Sequence, residues 1–288
     1  MKTGEILKEI RESRNLSLRK ASAGLFDHSI LSRIETQGQA VKSIDLIRLL
    51  NRYNVEWEEF IPLIEDKNNQ KRFNYELEFS EALRSGNKKR CLDFLKILND
   101  EYEKNGEVYI LHIKCVIEAV SVLHETNNNY ELAREVVEPV FTYLNNIDQW
   151  YLYDLKLLNN ILYFYEYESA LLIGEKAVRQ IENDYNNYKH NELGRGFLNN
   201  MAILSLDNHE YMKAHRFTST SLAIPHTTKH LYSVIFSNIL HQVSCFKLDN
   251  PQYDPTLIPS LLDFFVIIGL ADVKTFCKDF VVKHGVPI

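Results

Sequence analysis

An all-α fold is what this sequence predicts: a small N-terminal helix-turn-helix unit followed by a solenoid of helix pairs. Three observations carry the prediction. Glycine and proline together supply only 17 of the 288 residues, and the roughly 12% usual in globular chains is about twice that share, so the turn-makers of a sheet protein are scarce. Beyond Asn68 apolar residues recur at helical spacing through segments of roughly 14 to 20 residues, parted by short polar breaks. An aromatic residue followed three positions later by alanine also returns at intervals along the chain.

Composition bounds the class. A hydrophobic content of 45% is enough for a sizeable core and excludes a disordered chain. The longest apolar stretch, Leu257 to Ala271, is broken by Pro259 and Asp263 and falls short of the roughly 20 residues of a membrane span. The opening residues carry alternating charges and no apolar core of a secretory signal, so the expected location is the cytoplasm, with no membrane partner. Cys91, Cys115, Cys245 and Cys277 are widely spaced without a CxxC pair, which suits reduced core thiols better than disulfides or zinc.

Charge separates the chain into two parts. Residues 1–54 hold ten basic and six acidic side chains, a balance of +4, and the total of −6 leaves −10 for the remainder. A basic head on an acidic body is the asymmetry expected when the head meets a polyanion.

The head reads as five short helices. Glu5 to Arg14 places Ile6, Leu7 and Ile10 on one face, with Arg11 and Arg14 turned elsewhere. Ser17 is a good N-cap for a second helix with Leu18, Ala21, Ser22 and Leu25 at i, i+3, i+4 and i+7. Asp27 caps a third, His28 to Glu35, with Leu31 and Ile34 inward. The fourth, Ser43 to Tyr53, carries an Ile44, Ile47, Leu50 stripe with Leu46 and Leu49 beside it, and the fifth carries Trp57, Phe60, Ile61 and Ile64. Ala21 supplies the small residue that two steeply crossing helices need.

The run Ser17 to Glu35, ending Leu31-Ser32-Arg33-Ile34-Glu35, resembles the helix-turn-helix of lambda-repressor-like (XRE) regulators. With Ile10-Arg11-Glu12-Ser13-Arg14 before it and the Leu49 to Phe60 segment after it, the head is similar to that of the Rgg/GadR/MutR regulators of Gram-positive bacteria. The resemblance implies that the third helix enters the major groove of promoter DNA. His28, Ser29, Ser32 and Arg33 then meet base edges and phosphates, Arg33 first because arginine binds guanine bidentately. Arg11, Arg14, Arg19, Lys20 and Gln37 are expected to hold the DNA backbone.

From Asn68 onward the chain reads as about eleven helices, the last near Ala271 to His284. Tyr130, Tyr167 and Tyr211 each open the second helix of a pair, followed by Ala133, Ala170 and Ala214. The spacing, somewhat longer than the 34 residues of tetratricopeptide repeats, marks degenerate repeats of that kind. Asn159-Asn160 and Asn199-Asn200 recur in first helices, with Asn238 following. An asparagine there either satisfies a neighbouring backbone or offers a donor and an acceptor to an extended peptide.

The segment Gln149 to Phe164 resembles the corresponding Rgg stretch, and the resemblance implies a repeat domain that receives a short hydrophobic peptide on its concave face. Asn160, Asn200 and Asn238 are then the peptide contacts, with Lys156 and Arg195 as partners for a peptide carboxylate. The expected organisation is residues 1–66 for DNA and residues 67–288 for peptide binding and dimerisation. A homodimer follows because one helix-turn-helix contacts few base pairs, and RNA polymerase is a further candidate partner. The Phe264 to Ile268 run with Phe276 and Phe280 reads as a capping pair or a dimer face.

Two other readings compete. In one the repeat body is a protein-binding scaffold or antitoxin-like module with no peptide ligand. In the other a metal hydrolase is built on His226 and His230, with His241 or His215 as a third ligand. No HExxH, phosphate loop or GxSxG accompanies those histidines. The expectation is therefore a non-enzyme without cofactor or catalytic metal.

Overall fold

The computed structural model describes residues 3–64, 67–85, 87–126, 129–184, 188–225 and 231–288, and among the described residues every regular element is a helix. The chain divides into two compact units, Met1–Ser80 and Glu81–Ile288, the division falling within helix α6 (Lys67–Ser85).

The first unit contains α1 (Thr3–Ser13), α2 (Leu18–Ser22), α3 (His28–Gln37), α4 (Ser43–Tyr53) and α5 (Trp57–Ile64). The caps are those read from the sequence. The Ser17 hydroxyl accepts from the Lys20 N–H at 3.3 Å and the Asp27 carboxylate from the Ser29 N–H at 2.8 Å, each satisfying a donor that a helix start leaves open. Two boundaries differ from expectation. Helix α2 ends at Ser22, so Leu25 lies in the turn beyond Gly24 (φ 74°) rather than on a helical face. Helix α3 runs on to Gln37 and stops at Gly38, whose left-handed φ of 67° costs a glycine nothing.

The core of this unit gathers Leu7, Ala21, Leu31, Ile34, Leu49, Tyr53 and Phe60. On α4 the buried side is Leu46, Leu49, Leu50 and Tyr53, while Ile44 and Ile47 are 53% and 46% exposed. The expected Ile44 and Ile47 stripe is thus corrected: positions 46, 49, 50 and 53 complete the i, i+3, i+4, i+7 pattern and leave both isoleucines on the outside. Helices α1 and α3 approach so closely at Gly4 that a Cβ there would lie 1.9 Å from the Ile34 carbonyl oxygen.

Arg11 is a second correction. It is buried rather than turned outward, and its Nε and Nη2 donate to the two carboxylate oxygens of buried Glu35, each at 2.8 Å. Nη1 donates to the Leu16 carbonyl at 2.8 Å, so the guanidinium is engaged on all sides and unavailable to a DNA phosphate. The fork geometry of arginine matches a carboxylate bidentately, which makes this the pairing a buried carboxylate at the end of α3 requires.

The second unit continues with α7 (Lys88–Asn105), α8 (Val108–Glu125), α9 (Tyr130–Asn145) and α10 (Leu152–Ile161). A 3-10 turn (Leu162–Phe164), α11 (Tyr167–Asp184), α12 (Tyr188–Asp207), α13 (Tyr211–Ala223), α14 (Leu231–Lys247), α15 (Leu257–Ile267) and α16 (Ala271–Lys283) follow. Tyr130, Tyr167 and Tyr211 open α9, α11 and α13 as expected, and Ala133, Ala170 and Ala214 are completely buried where those helices meet their neighbours. Helix α8 packs on α10, α10 on α12 and α12 on α14, with no comparable packing among the described residues of α9, α11 and α13. The first helices of the pairs therefore form the inner layer of the stack.

Polar groups at the α8–α10 contact are paired. His112 of α8 lies 2.8 Å through Nδ1 from the Tyr153 hydroxyl of α10. The Tyr143 hydroxyl donates to Asp154 at 2.7 Å, and the other Asp154 oxygen accepts the Tyr151 N–H at 2.8 Å. Burial pulls the His112 pKa below its ordinary value, opposed by the nearby Asp154 charge. The last helices leave Val266, Ile267, Ile268, Phe276 and Val282 exposed. Among the described residues no helix is long and apolar enough to cross a membrane.

This packing can be tested at two buried charges. Arg11→Ala strands the Glu35 carboxylate in the core and is expected to destabilise the first unit by about 3–5 kcal/mol, read as faster amide exchange along α3. Exchange unchanged from wild type would contradict a structural role for the pair. His112 is held neutral when folded but takes up a proton near pH 6.5 when unfolded. Its stabilising share is thus complete above that pH and is lost as pH falls below it. The melting temperature should drop between pH 7.5 and 5.5 by more in wild type than in His112→Gln, and equal drops would refute the assignment.

Candidate functional site

The outer side of α3 is the first candidate. Leu31, Ile34 and Glu35 are buried, which turns His28, Ser29, Arg33 and Gln37 outward, all exposed, with Ser32 half-buried at the margin. The Arg33 side chain makes no hydrogen bond or ion pair with the other described residues. The Asp27 carboxyl at the start of this helix is held below its ordinary pKa by the Ser29 hydroxyl and N–H, with His28 and Arg33 adding to the effect. Its negative charge suits the N-terminus of α3.

Arg19 and Lys20 are exposed on α2. Arg14 is exposed too, yet its Nε donates to the Tyr53 carbonyl at 3.1 Å. Arg52, to which no sequence signal gives a role, donates through Nη1 to the carbonyls of Lys20 and Ala21 at 3.3 and 2.9 Å, and to that of Ala23. It closes the open end of α2 and so fixes the turn before α3.

The second candidate is the partly exposed strip along the inner helices. On α10 it contains Lys156, exposed, and Asn160, half-buried one turn later. On α12 it contains Gly196, Asn200 and Leu204, and on α14 Val234 and Asn238. Each of these inner helices thus places one of the predicted asparagines at its margin with solvent.

Their free hydrogen-bonding capacity differs. Asn200 Nδ2 donates to the Asn159 carbonyl at 3.2 Å and to Asn159 Oδ1 at 3.1 Å, while Asn200 Oδ1 accepts from the Tyr163 hydroxyl at 2.7 Å. Asn238 Nδ2 donates to Val234 within its own helix at 2.9 Å. Asn160 makes no side-chain hydrogen bond with the other described residues. Capacity to receive a ligand therefore falls from Asn160 through Asn238 to Asn200.

Arg195 does not belong to this strip. It is 1% exposed, and Nη2 donates to the Ile224 carbonyl at 2.8 Å while Nη1 donates to that of Ser221. Burial lowers its pKa, with Glu192 opposing. The expected contact with a peptide carboxylate is corrected: the open carbonyl end of α13 lies against α12, and Arg195 is its cap.

Sequence reasoning names Asn199 in the recurring pair without giving it a task of its own. Its Oδ1 accepts from the Ser221 and Ser237 hydroxyls at 3.0 and 2.9 Å, joining α12, α13 and α14 in the core. A signal is present in Ser233, Ser237 and Ser244, set among the apolar residues of α14, since buried serines imply a buried partner. His226 and His230 lie outside the described residues. His215 and His241, which the sequence suggests only as accessories to that pair, bring their rings to 4.8 Å between α13 and α14.

Known proteins share this architecture. The crystal structure of a variant of the Streptococcus dysgalactiae SHP pheromone receptor Rgg2 matches with a TM-score of 0.72 at 19% identity, covering 97% of this chain and 98% of that one. A candidate transcriptional regulator from Listeria monocytogenes EGD-e matches with a TM-score of 0.75 at 15% identity, covering 99% of both chains. Bacillus thuringiensis PlcR, in complex with the peptide PapR7 and DNA, matches with a TM-score of 0.69 at 16% identity, over 96% of this chain and 98% of that one. At these identities the likeness establishes the fold. A family model described as the C-terminal domain of the HTH-type transcriptional regulator Rgg matches residues 95–268. That match spans more than half of the 288 residues, and the chain belongs to the Rgg family of HTH-type transcriptional regulators.

Proposed function

We propose that this regulator is a cytoplasmic, non-enzymatic homodimer that binds promoter DNA through residues 1–66 and a short hydrophobic peptide through residues 67–288. The observation that carries the DNA half is the outer side of α3, where His28, Ser29 and Arg33 stand exposed above a buried Leu31, Ile34 and Glu35. The residues assigned to DNA are His28, Ser29, Ser32 and Arg33 for the groove, with Arg14, Arg19, Lys20 and Gln37 for the backbone. The peptide half rests on the inner strip of Lys156, Asn160, Asn200 and Asn238. Of the related structures, Rgg2 is an SHP pheromone receptor and PlcR is held with a peptide and DNA, and carrying both ligands to this chain is part of the proposal. The exposed apolar side chains of α15 and α16 suit a dimer contact better than solvent.

Peptide binding can alter promoter control only if the peptide prefers one arrangement of the regulator, or one contact with RNA polymerase, over another. The competing scaffold reading predicts a body indifferent to short apolar peptides.

Two substitutions separate the halves. Arg33→Ala should cost about 1–3 kcal/mol of specific DNA binding, measured by fluorescence anisotropy across a salt series, with thermal unfolding and peptide affinity unchanged. Specific binding equal to wild type would remove Arg33 from the interface. Asn160→Ala should weaken binding of short hydrophobic peptides by about 1 kcal/mol in calorimetry while leaving the melting temperature within about a degree. The same change at Asn199 should lower the melting temperature instead. A peptide that binds wild type and Asn160→Ala equally would take this asparagine out of the site.

A further inference from the structure

His215 on α13 and His241 and Cys245 on α14 form a cluster that DNA and peptide binding leave unused. Their ligand atoms all lie within 4.8 Å of one another, and no second group of three such residues suited to a metal ion occurs among the described residues. His241 and Cys245 stand one helical turn apart, with Nε2 facing Sγ at 3.6 Å.

Hydrogen bonds hold both rings. The Thr218 hydroxyl lies 3.0 Å from the His215 carbonyl, to which it can donate, and 3.0 Å from His241 Nδ1, from which its oxygen can then accept. In the tautomer that this pairing favours, neutral His241 carries its proton on Nδ1 and turns the Nε2 lone pair towards the Cys245 sulfur. The Asn250 amide nitrogen lies 3.4 Å from His215 Nε2, a long contact on the ring's lone pair that an ion bound at that nitrogen would displace. His241, held through Nδ1 with Nε2 towards the sulfur, has the arrangement of a metal-ligating histidine. Cys245 is completely buried, while both histidines are half-buried and leave a way in from solvent.

We infer that His215, His241 and Cys245 bind a divalent transition ion of borderline softness, with Zn2+ the best match, clipping α13 to α14 and leaving a fourth position to water. Two imidazoles and a thiolate are ligands that zinc accepts without geometric preference from its d-electrons. On binding, the Cys245 S–H proton passes to solvent as the sulfur–metal bond forms, so the charge of the ion is partly neutralised by the thiolate. Bonds of about 2.0–2.3 Å set donor separations of about 3.3–3.8 Å. The His241 to Cys245 distance of 3.6 Å already satisfies this, and His215 has about 1 Å to close.

The test uses the full chain, reduced and stripped by a chelator, titrated with Co2+ alone. The expected result is a thiolate-to-cobalt charge-transfer band saturating at one ion per chain and bleached by equimolar Zn2+. The band should persist in Cys277→Ser and vanish in Cys245→Ser. His215→Gln, at a half-buried position, should weaken Co2+ binding without unfolding the chain. Thr218→Val should lower affinity by about 10–100-fold, with Thr218→Ser restoring it, because the hydroxyl acts by orienting His241. A saturating titration without a thiolate band, a band that survives Cys245→Ser, or a Co2+ affinity unmoved in folded His215→Gln overturns the site.

Discussion

The open carbonyls at helix C-termini are the constraint around which this chain is arranged. Each α-helix leaves its last carbonyls without a helical partner, and a chain with sixteen α-helices among its described residues repeats that demand at every turn. Arginine answers it here again and again. Arg14 reaches the Tyr53 carbonyl at the end of α4, and Arg52 the carbonyls at the end of α2. Arg134 donates to Phe164 at 2.7 Å, closing the 3-10 turn, and Arg195 closes α13. Charge-assisted hydrogen bonds of this kind contribute about 1.5–3 kcal/mol apiece. Because each donor comes from a different element than its acceptor, satisfying a helix end also fixes the placement of its neighbour. Helix α3 inherits its setting this way, since the turn before it is closed by Arg52 and its far end is held by the Arg11–Glu35 pair.

That use of arginine also explains where the sequence misleads. Local signals are legible: Ser17 and Asp27 cap as their residue types predict, Ser43 to Tyr53 is helical as read, and the aromatic-x-x-alanine pattern marks the starts of α9, α11 and α13 with their buried alanines. These depend on residues within one turn of each other. Arg11 and Arg195 look like ligand contacts in the sequence because a charge is expected on the surface, and the partner that draws each inside lies 24 and 26 residues away. No periodicity encodes a guanidinium meeting the carbonyl end of another helix. The α4 stripe misleads for a different reason. Five aliphatic residues in one short amphipathic helix allow two overlapping stripes, and only packing chooses between them.

The paired asparagines of α12 show why neighbouring residues in a repeat carry different tasks. Successive residues on a helix point about 100° apart, so Asn199 and Asn200 cannot face the same surroundings. Asn199 turns into the core, where an unsatisfied amide would be costly, and its oxygen meets the Ser221 and Ser237 hydroxyls at distances that fix the register of three helices at once. Sliding α14 along α12 would break those bonds in the core, where water cannot replace them. With that register locked, Asn200 and Asn238 occupy equivalent margins of adjoining inner helices, and Asn160 follows on α10 through the Asn159 contact to Asn200. The buried crossbar thus sets the spacing of the exposed strip. In the proposed peptide site, a ligand laid across the strip would meet polar groups whose separation is fixed before binding, the ordering entropy that a mobile surface would lose having already been met in folding.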